Sequence, residues 1–369
     1  MGVRFRTALG DVSPYQAGRG GGEGTDHPDG AEKALLAQNE GAFGPVAAAQ
    51  RAIQEEAAQG HRYPESGFAG LKREIAAYHG IPADNVFPAA GSCAVFHYLS
   101  LCLLDPGDEV LFCSPTFGAY GLEARKMGAV PVSVPLDADG AYDPAALLGA
   151  VSDRTKIVYV ANPNNPTGGL VLRAALSAFL DAVPGHVLTV IDEAYFDYVD
   201  DPAYPDAIAE FFSDERPVAV TRTFSKIFGL AGLRVGYGVL PADIARKLAK
   251  VQMPFEVNRF ALAAATATLR ADPAEIRRRR EATAAGRLRL VGELGAAGFA
   301  PLPASANFVQ IRVGDAAAVA HDLAERGILV RPLGSWGQPD SIRVTVGTVE
   351  ETTRFLDAFR SVMATGTPS

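Results

Sequence analysis

Lys226 is the residue in this chain whose surroundings are least like those of an ordinary lysine. It lies in Thr221-Arg-Thr-Phe-Ser-Lys-Ile-Phe-Gly-Leu-Ala-Gly-Leu-Arg-Val-Gly-Tyr-Gly238, with Phe224, Ile227 and Phe228 beside it instead of the charged company of a surface lysine. Desolvation disfavours an ammonium ion and lowers its pKa. A lysine amine freed in this way attacks carbonyls and forms Schiff bases. Thr223, Ser225 and Arg234 supply hydroxyls and a guanidinium suited to a phosphate next to that amine. An aldehyde that also carries a phosphate meets both requirements, which points to pyridoxal 5′-phosphate (PLP). A nucleotide-binding P-loop is the competing reading, but its glycines precede the lysine, whereas Gly229 and Gly232 follow it here.

Other residues have chemistry that fits the same group. Asp192 ends the apolar run Val187-Leu-Thr-Val-Ile191, where a carboxylate would keep a pyridine nitrogen protonated. Tyr195, and Asn165 in Asn162-Pro-Asn-Asn-Pro-Thr-Gly168, could hydrogen-bond a phenolate. Phe117, in Ser114-Pro-Thr-Phe-Gly118, could stack on a ring. Gly91-Ser92-Cys93 opens an apolar helix whose free N–H groups and positive dipole end suit a phosphate. Singly, each has a plainer explanation: Asn-Pro-Thr-Gly is a good turn, Ser92 an ordinary helix cap, and Asp192-Glu193 a cap as well. Their joint occurrence in this order favours one site.

The elements that would position these residues can be read from the hydrophobic pattern. Short apolar strands are expected at Glu109–Cys113, Val130–Val134, Lys156–Ala161, Val187–Ile191, Val218–Thr221 and Val235–Val239, with helices at Phe117–Met127 and Arg173–Ala182 among them. Near-continuous apolar strands alternating with helices predict an α/β fold with a mainly parallel, helix-covered sheet. Ligands of such sheets bind at the carboxyl ends of the strands, where Asn165, Asp192 and Lys226 fall. Upstream, helices are expected from Val46 to Ala58 and from Gly67 to His79. Residues 1–35 are irregular and include the glycine-rich stretch Gly18–Gly24. Downstream, a helical region over Asn258–Leu294 leads into a smaller α+β unit. It comprises Asn307–Val313, a helix at Ala316–Arg326, Ile328–Leu333, Ser341–Val346 and a final helix opened by the capping box Thr348-Val-Glu-Glu351. The expected organisation is an N-terminal arm over 1–45, a large domain over 46–257 and a small domain over 258–369.

Composition narrows the function classes. A net charge of −8 gives no support for a nucleic-acid or anionic-membrane partner. The run Arg277–Arg280 lies among glutamates and reads as a solvated helix face. No apolar run is long enough for a membrane span, and the N-terminal stretch lacks the apolar core of a secretory signal. Cys93, Cys102 and Cys113 lack metal or redox spacing, and the histidines are scattered, so no metal is assigned. A reducing, cytoplasmic setting is expected.

The chain resembles the class I/II, fold-type I PLP aminotransferases over nearly its whole length. The resemblance rests on Asn165-Pro-Thr-Gly168, Asp192-Glu-Ala-Tyr195, and Ser225-Lys226 with Arg234. It implies that Lys226 binds the cofactor and shuttles a proton during transamination. Asp192 would pair with the pyridine nitrogen, Asn165 and Tyr195 would contact the phenolate, and Arg234 with the hydroxyls would hold the phosphate. Tyr63 matches a tyrosine that reaches the neighbouring subunit's cofactor, implying a homodimer. Arg343, in Ser341-Ile-Arg-Val-Thr-Val-Gly347, matches the arginine that clamps the substrate's anionic group; a structural ion pair is the plainer reading.

Within that family the chain is most similar to the histidinol-phosphate aminotransferase branch. Ser13-Pro-Tyr15, Asn39-Glu40 with Phe43-Gly44-Pro45, Arg222–Lys226, Leu230–Arg234 and Val330-Arg-Pro332 carry the likeness. It implies that Tyr15, Asn39, Arg331 and Arg343 face the substrate, with amino transfer between histidinol phosphate or a related amino compound and 2-oxoglutarate. Aromatic or other amino acids are the alternative substrates, and decarboxylation, lyase or cyclase chemistry on the same scaffold the alternative reactions. The chain departs from the branch pattern at Gly41, Ala42, Cys93, Ala94 and Glu256, and in its glycine-rich stretch.

Overall fold

A computed structural model of the chain describes residues 3–14 and 33–365. Tyr15 and the glycine-rich stretch Gly18–Gly24 lie outside the described residues. The strands are β1 (Ala34–Leu35), β2 (Val86–Ala89), β3 (Glu109–Ser114), β4 (Val130–Pro135), β5 (Thr155–Ala161), β6 (Leu188–Asp192), β7 (Val218–Thr223), β8 (Gly236–Val239), β9 (Phe308–Arg312), β10 (Ile328–Leu329), β11 (Arg331–Pro332) and β12 (Ser341–Thr345). The α-helices are α1 (Ala47–Ala57), α2 (Ala69–His79), α3 (Ser92–Leu103), α4 (Ala119–Met127), α5 (Pro144–Ala150), α6 (Arg173–Ala182), α7 (Ala207–Glu210), α8 (Ala242–Leu248), α9 (Arg259–Leu269), α10 (Pro273–Ala296), α11 (Ala316–Ala324) and α12 (Val349–Thr365).

The main sheet has seven strands in the order β2-β8-β7-β6-β5-β3-β4. Strands β4, β3, β5, β6 and β7 run parallel; β8 is antiparallel to both β7 and the edge strand β2, which runs in the common direction. The expected α/β class with a mainly parallel sheet is therefore present. Its central strands are buried on both faces: every residue of β6 and β7 is buried, and β5 is buried except at Lys156. Such strands need apolar residues at consecutive positions, which explains the absence of in–out alternation. Edge strand β4 carries Pro131 and Pro135 and is more exposed, as a strand lacking those two N–H donors must be.

A second core forms around the three-stranded antiparallel sheet β11-β12-β9, with Leu290, Leu294, Val309, Ile311, Leu323, Val344 and Phe355 among its members. Segment β1 pairs in parallel with β10, so residues just upstream of α1 join this C-terminal core. The capping box forms: Thr348 N–H donates to Glu351 at 2.8 Å, and Glu351 N–H to Thr348 Oγ1 at 3.1 Å.

Several boundaries differ from the sequence reading for identifiable reasons. The single helical region expected over 258–294 is two helices. Asp272 accepts from Ala274 N–H at 2.8 Å and Pro273 occupies the first turn, so a new helix starts there. Helix α9 buries Ala261, Ala264 and Ala265 in the larger core and not in the C-terminal one. The segment expected as one strand over Ile328–Leu333 changes partner at Val330, from β1 to β12. The arginine run is not uniformly solvated. Arg279 is buried, donating to the Ile227 carbonyl at 3.1 Å and to Glu275 at 3.0 Å. Strands β1 and β2 and helices α5, α7 and α8 have no counterpart in the sequence reading. Among the described residues no helix is long and apolar enough to cross a membrane.

Candidate active site

Three consecutive parallel strands deliver their C-terminal residues to one place. Strand β5 leads into Asn162–Gly168, β6 ends on Asp192, and β7 runs into Ser225 and Lys226. A cavity of about 630 Å³ opens there, and its far wall carries Arg331 and Arg343 from the small sheet. Among the described residues, every site residue inferred from the sequence except Gly91 and Tyr63 lines it. Gly91 lies directly behind the wall, where a Cβ would come within 2.8 Å of Arg234 Nη2. Tyr63 is 78% exposed and stacks on Phe255 at 4.8 Å, outside the cavity of its own chain. Arg343 occupies the middle of β12.

The amine of Lys226 donates to the Gln38 carbonyl at 3.3 Å. Burial lowers its pKa to about 8, and the nearby Arg343 and Arg234 guanidiniums push in the same direction, against Glu40. Its segment is locked from behind by close backbone contact. A Cβ on Gly41 would meet the Lys226 carbonyl oxygen at 2.6 Å, and one on Gly229 would strike the Phe43 and Gly44 carbonyls at 2.7 Å. The Gly41 departure from the branch pattern is therefore matched to the lysine backbone.

Asp192 is buried. Tyr120 Oη donates to its Oδ2 at 2.6 Å and Thr221 Oγ1 to its Oδ1 at 3.1 Å. Burial raises its pKa, while those two hydrogen bonds and Lys226 favour the anion. The result is an oriented carboxylate that gains from a cationic ring nitrogen. At the opposite end, no side chain caps α3, so its first N–H groups face the cavity beside Ser225, Thr223 and Arg234. Gly236 permits this approach, since a Cβ there would lie 2.6 Å from Ser92 N. The Cys93 thiol is pushed up to about 11 by burial, so it is a neutral wall and not a nucleophile.

Asn165 and Tyr195 connect this end to the arginine wall. Arg343 Nη1 donates to Asn165 Oδ1 at 2.5 Å, and Nη2 to the Ala37 carbonyl at 2.7 Å. Asn39 Nδ2 donates to Tyr195 Oη at 2.9 Å, and Asn39 N–H to Thr345 Oγ1 at 3.0 Å. Behind the site, Arg222 lies 3.5 Å over Phe196 and pairs with Glu193 at 2.7 Å and Asp206 at 2.7 Å. That buried cluster fixes the β6–β7 ends without reaching the cavity.

The sequence reading missed Tyr120, Thr221 and Trp336. Tyr120 follows Phe117 by one helical turn, which was the available signal. Trp336, the chain's only tryptophan, lies close after Arg331.

Uncapped helix, hydroxyls and arginine at one end, a hydrogen-bonded acid at the other and a desolvated amine between them match the chemistry of PLP. The sequence model for aminotransferase class I and II matches residues 31–359. The chain belongs to this aminotransferase family. It is 39% identical over 356 residues to histidinol-phosphate aminotransferase 1 of Nitrosococcus oceani, covering 95% of each chain. It is 42% identical to an aromatic amino acid aminotransferase of Nocardia farcinica, covering 96% of each. In structure it is similar to a histidinol-phosphate aminotransferase from Sinorhizobium meliloti in complex with pyridoxal 5′-phosphate, with a TM-score of 0.89, 27% identity and 99% of each chain covered. The protein is thus a fold-type I aminotransferase that uses PLP, an amino donor and an oxo-acid acceptor.

Proposed function

We propose that this aminotransferase takes histidinol phosphate as amino donor and 2-oxoglutarate as acceptor. The observation that carries the reading is the pairing of two guanidiniums. Arg331 and Arg343 are direct cross-strand partners on β11 and β12. Like charges placed opposite each other are unfavourable unless an anion lies between or before them. A phosphate monoester, with two negative charges and three acceptor oxygens, satisfies such a pair better than one carboxylate does. The same arginines would accept the two carboxylates of 2-oxoglutarate in the second half-reaction.

Bound PLP supplies the electron sink for the substrate Cα–H electrons. Lys226 Nζ takes the Cα proton and returns it, a task suited to an amine with a pKa near the working pH. Asp192 holds the ring nitrogen in its protonated form. Asn165 and Tyr195, which are bonded to Arg343 and Asn39, would hold the ring oxygen and so link the ring's position to that of the substrate. The start of α3 with Ser225, Thr223 and Arg234 would anchor the phosphate, and Phe117 would pack against the ring. Asn39 faces the substrate from the small-sheet side.

We further read the protein as a cytoplasmic homodimer. Tyr63, Phe255 and Met253 form an exposed apolar group that a second copy would cover, bringing Tyr63 toward the neighbouring site. We read the two cores as a large and a small domain; α9 packs with the larger core, and Leu290 and Leu294 of α10 with the smaller one.

A second reading, transamination of aromatic amino acids, is favoured by the flat walls at Phe117 and Trp336 and by relatives named for that activity. Single-half-reaction kinetics separate the two. A phosphate held by an additional guanidinium gains about 1.5–3 kcal/mol, or roughly 10–100-fold in rate constant over affinity. Histidinol phosphate should therefore exceed histidinol, phenylalanine and tyrosine by at least about tenfold in the rate of cofactor absorbance change. Equal rates with phenylalanine and histidinol phosphate would overturn the assignment.

A further inference from the structure

Trp336 belongs to neither the cofactor cradle nor the two arginines, yet it touches both sides of the cavity. It ends a short turn, Gly334–Trp336, between the strands that carry Arg331 and Arg343, and Gly337 follows at φ 75°. Its ring lies 4.8 Å from the Arg331 guanidinium and 5.9 Å from that of Arg343. Its indole N–H donates to the Thr116 carbonyl at 2.7 Å, across the cleft. Thr116 is held in place on both sides: it is buried, its hydroxyl donates to Asn164 Oδ1 at 2.7 Å, and it accepts from Tyr142 Oη at 2.9 Å. The next residue is Phe117, on the cofactor side of the cavity.

We propose that Trp336 is a positioning residue for the arginine pair, holding both guanidiniums on one indole and linking their placement to the Thr116–Phe117 wall. The proposal rests on reading Arg331 and Arg343 as the site of the substrate's anion. An aromatic face offsets the repulsion between two neighbouring cations without neutralising them, so both guanidiniums keep their charge for an anion while Arg343 keeps its bonds to Asn165 and Ala37. An indole is also the side chain that can do this while donating a hydrogen bond from its rim. Each such contact, freed of water, shifts an equilibrium by about 2–30-fold.

The test uses the holoenzyme with inorganic phosphate and maleate as unreactive anions. Because Trp336 is the only tryptophan, all tryptophan emission reports on this ring. In the wild type, phosphate should change that emission saturably, with the same half-point as its competitive inhibition. In W336L the inhibition constant for phosphate and the KM for the anionic donor should rise at least about fivefold, with kcat within about twofold. W336F, which keeps a flat ring and loses the N–H, should fall between. A W336L enzyme that holds its cofactor and binds phosphate as the wild type does overturns the proposal. If W336L does not fold, W336F with wild-type affinity for both anions overturns it instead. Failure of either anion to bind the wild type overturns the arginine-pair reading itself, and the proposal with it.

Discussion

Replacing Tyr120 with phenylalanine isolates the contribution of one oxygen atom to cofactor binding. The ring of Tyr120 is fully buried, stacked on Tyr159 at 4.3 Å and edge-on to Phe96 at 5.3 Å, so phenylalanine keeps the packing. What disappears is the 2.6 Å hydrogen bond to Asp192 Oδ2. Hydrogen bonds to charged groups contribute about 1.5–3 kcal/mol. Asp192 is already raised by burial, and Tyr120 is the first of the groups that oppose the rise. Without it the acid is easier to protonate, and a protonated acid cannot hold a cationic ring nitrogen. At about 1.4 kcal/mol per factor of ten, PLP affinity should fall by roughly 10–100-fold. The assay is titration of cofactor-free Y120F with PLP, followed by visible absorbance, with thermal unfolding of the cofactor-free protein as a control for packing. The pH range over which the holoenzyme retains its absorbance should also narrow from the acid side. If Y120F folds normally and binds PLP as the wild type does at all pH values, Asp192 does not depend on Tyr120, and the reasoning fails.

The depressed pKa of Lys226 sets a pH profile. Because burial and Arg343 favour the neutral amine, cofactor capture by the cofactor-free enzyme should accelerate as pH rises through about 8 and level off above it; a midpoint near an ordinary lysine's value, about 10.4, would refute the burial argument. In R343Q one of the two depressing guanidiniums is gone, so the midpoint should move up, readable in the same stopped-flow experiment. At Gly41 an added methyl would lie 2.6 Å from the Lys226 carbonyl oxygen, a backbone atom with little freedom to yield. G41A should cost about 1–3 kcal/mol in denaturant unfolding and slow the half-reaction; a variant of unchanged stability and rate would show that the loop around Gly41 has slack.

How far the sequence reveals such a protein depends on the range of the interactions. The large sheet is legible because strands buried on both faces carry apolar residues at consecutive positions, as Ile157–Ala161, Val190-Ile191 and Val218–Val220 do, with polar residues only toward the strand ends and at Thr189. Asp192 and Lys226 were legible because strand ends carry ligands in such sheets, and because a lysine among phenylalanines needs a chemical reason. Asn165 was found, but not its bond to Arg343, which joins residues far apart in the chain. Tyr120 and Trp336 escaped because aromatic residues in apolar segments read as core. Only the fold shows that one aims its hydroxyl at Asp192 and the other its N–H at Thr116. The break between α9 and α10 has a local signal in Asp272-Pro273, a helix start set inside an otherwise continuous helical pattern. The partner change at Val330 was not, since two-residue strands leave no periodicity to read.

The central claim is that Lys226, and no other lysine, carries the cofactor. Borohydride reduction of the PLP-loaded enzyme, followed by proteolysis and peptide mass mapping, tests it directly. The account predicts one modified peptide, containing Lys226, and none in K226A. A label on another lysine, such as Lys72 or Lys126, or an active K226A enzyme, would contradict it.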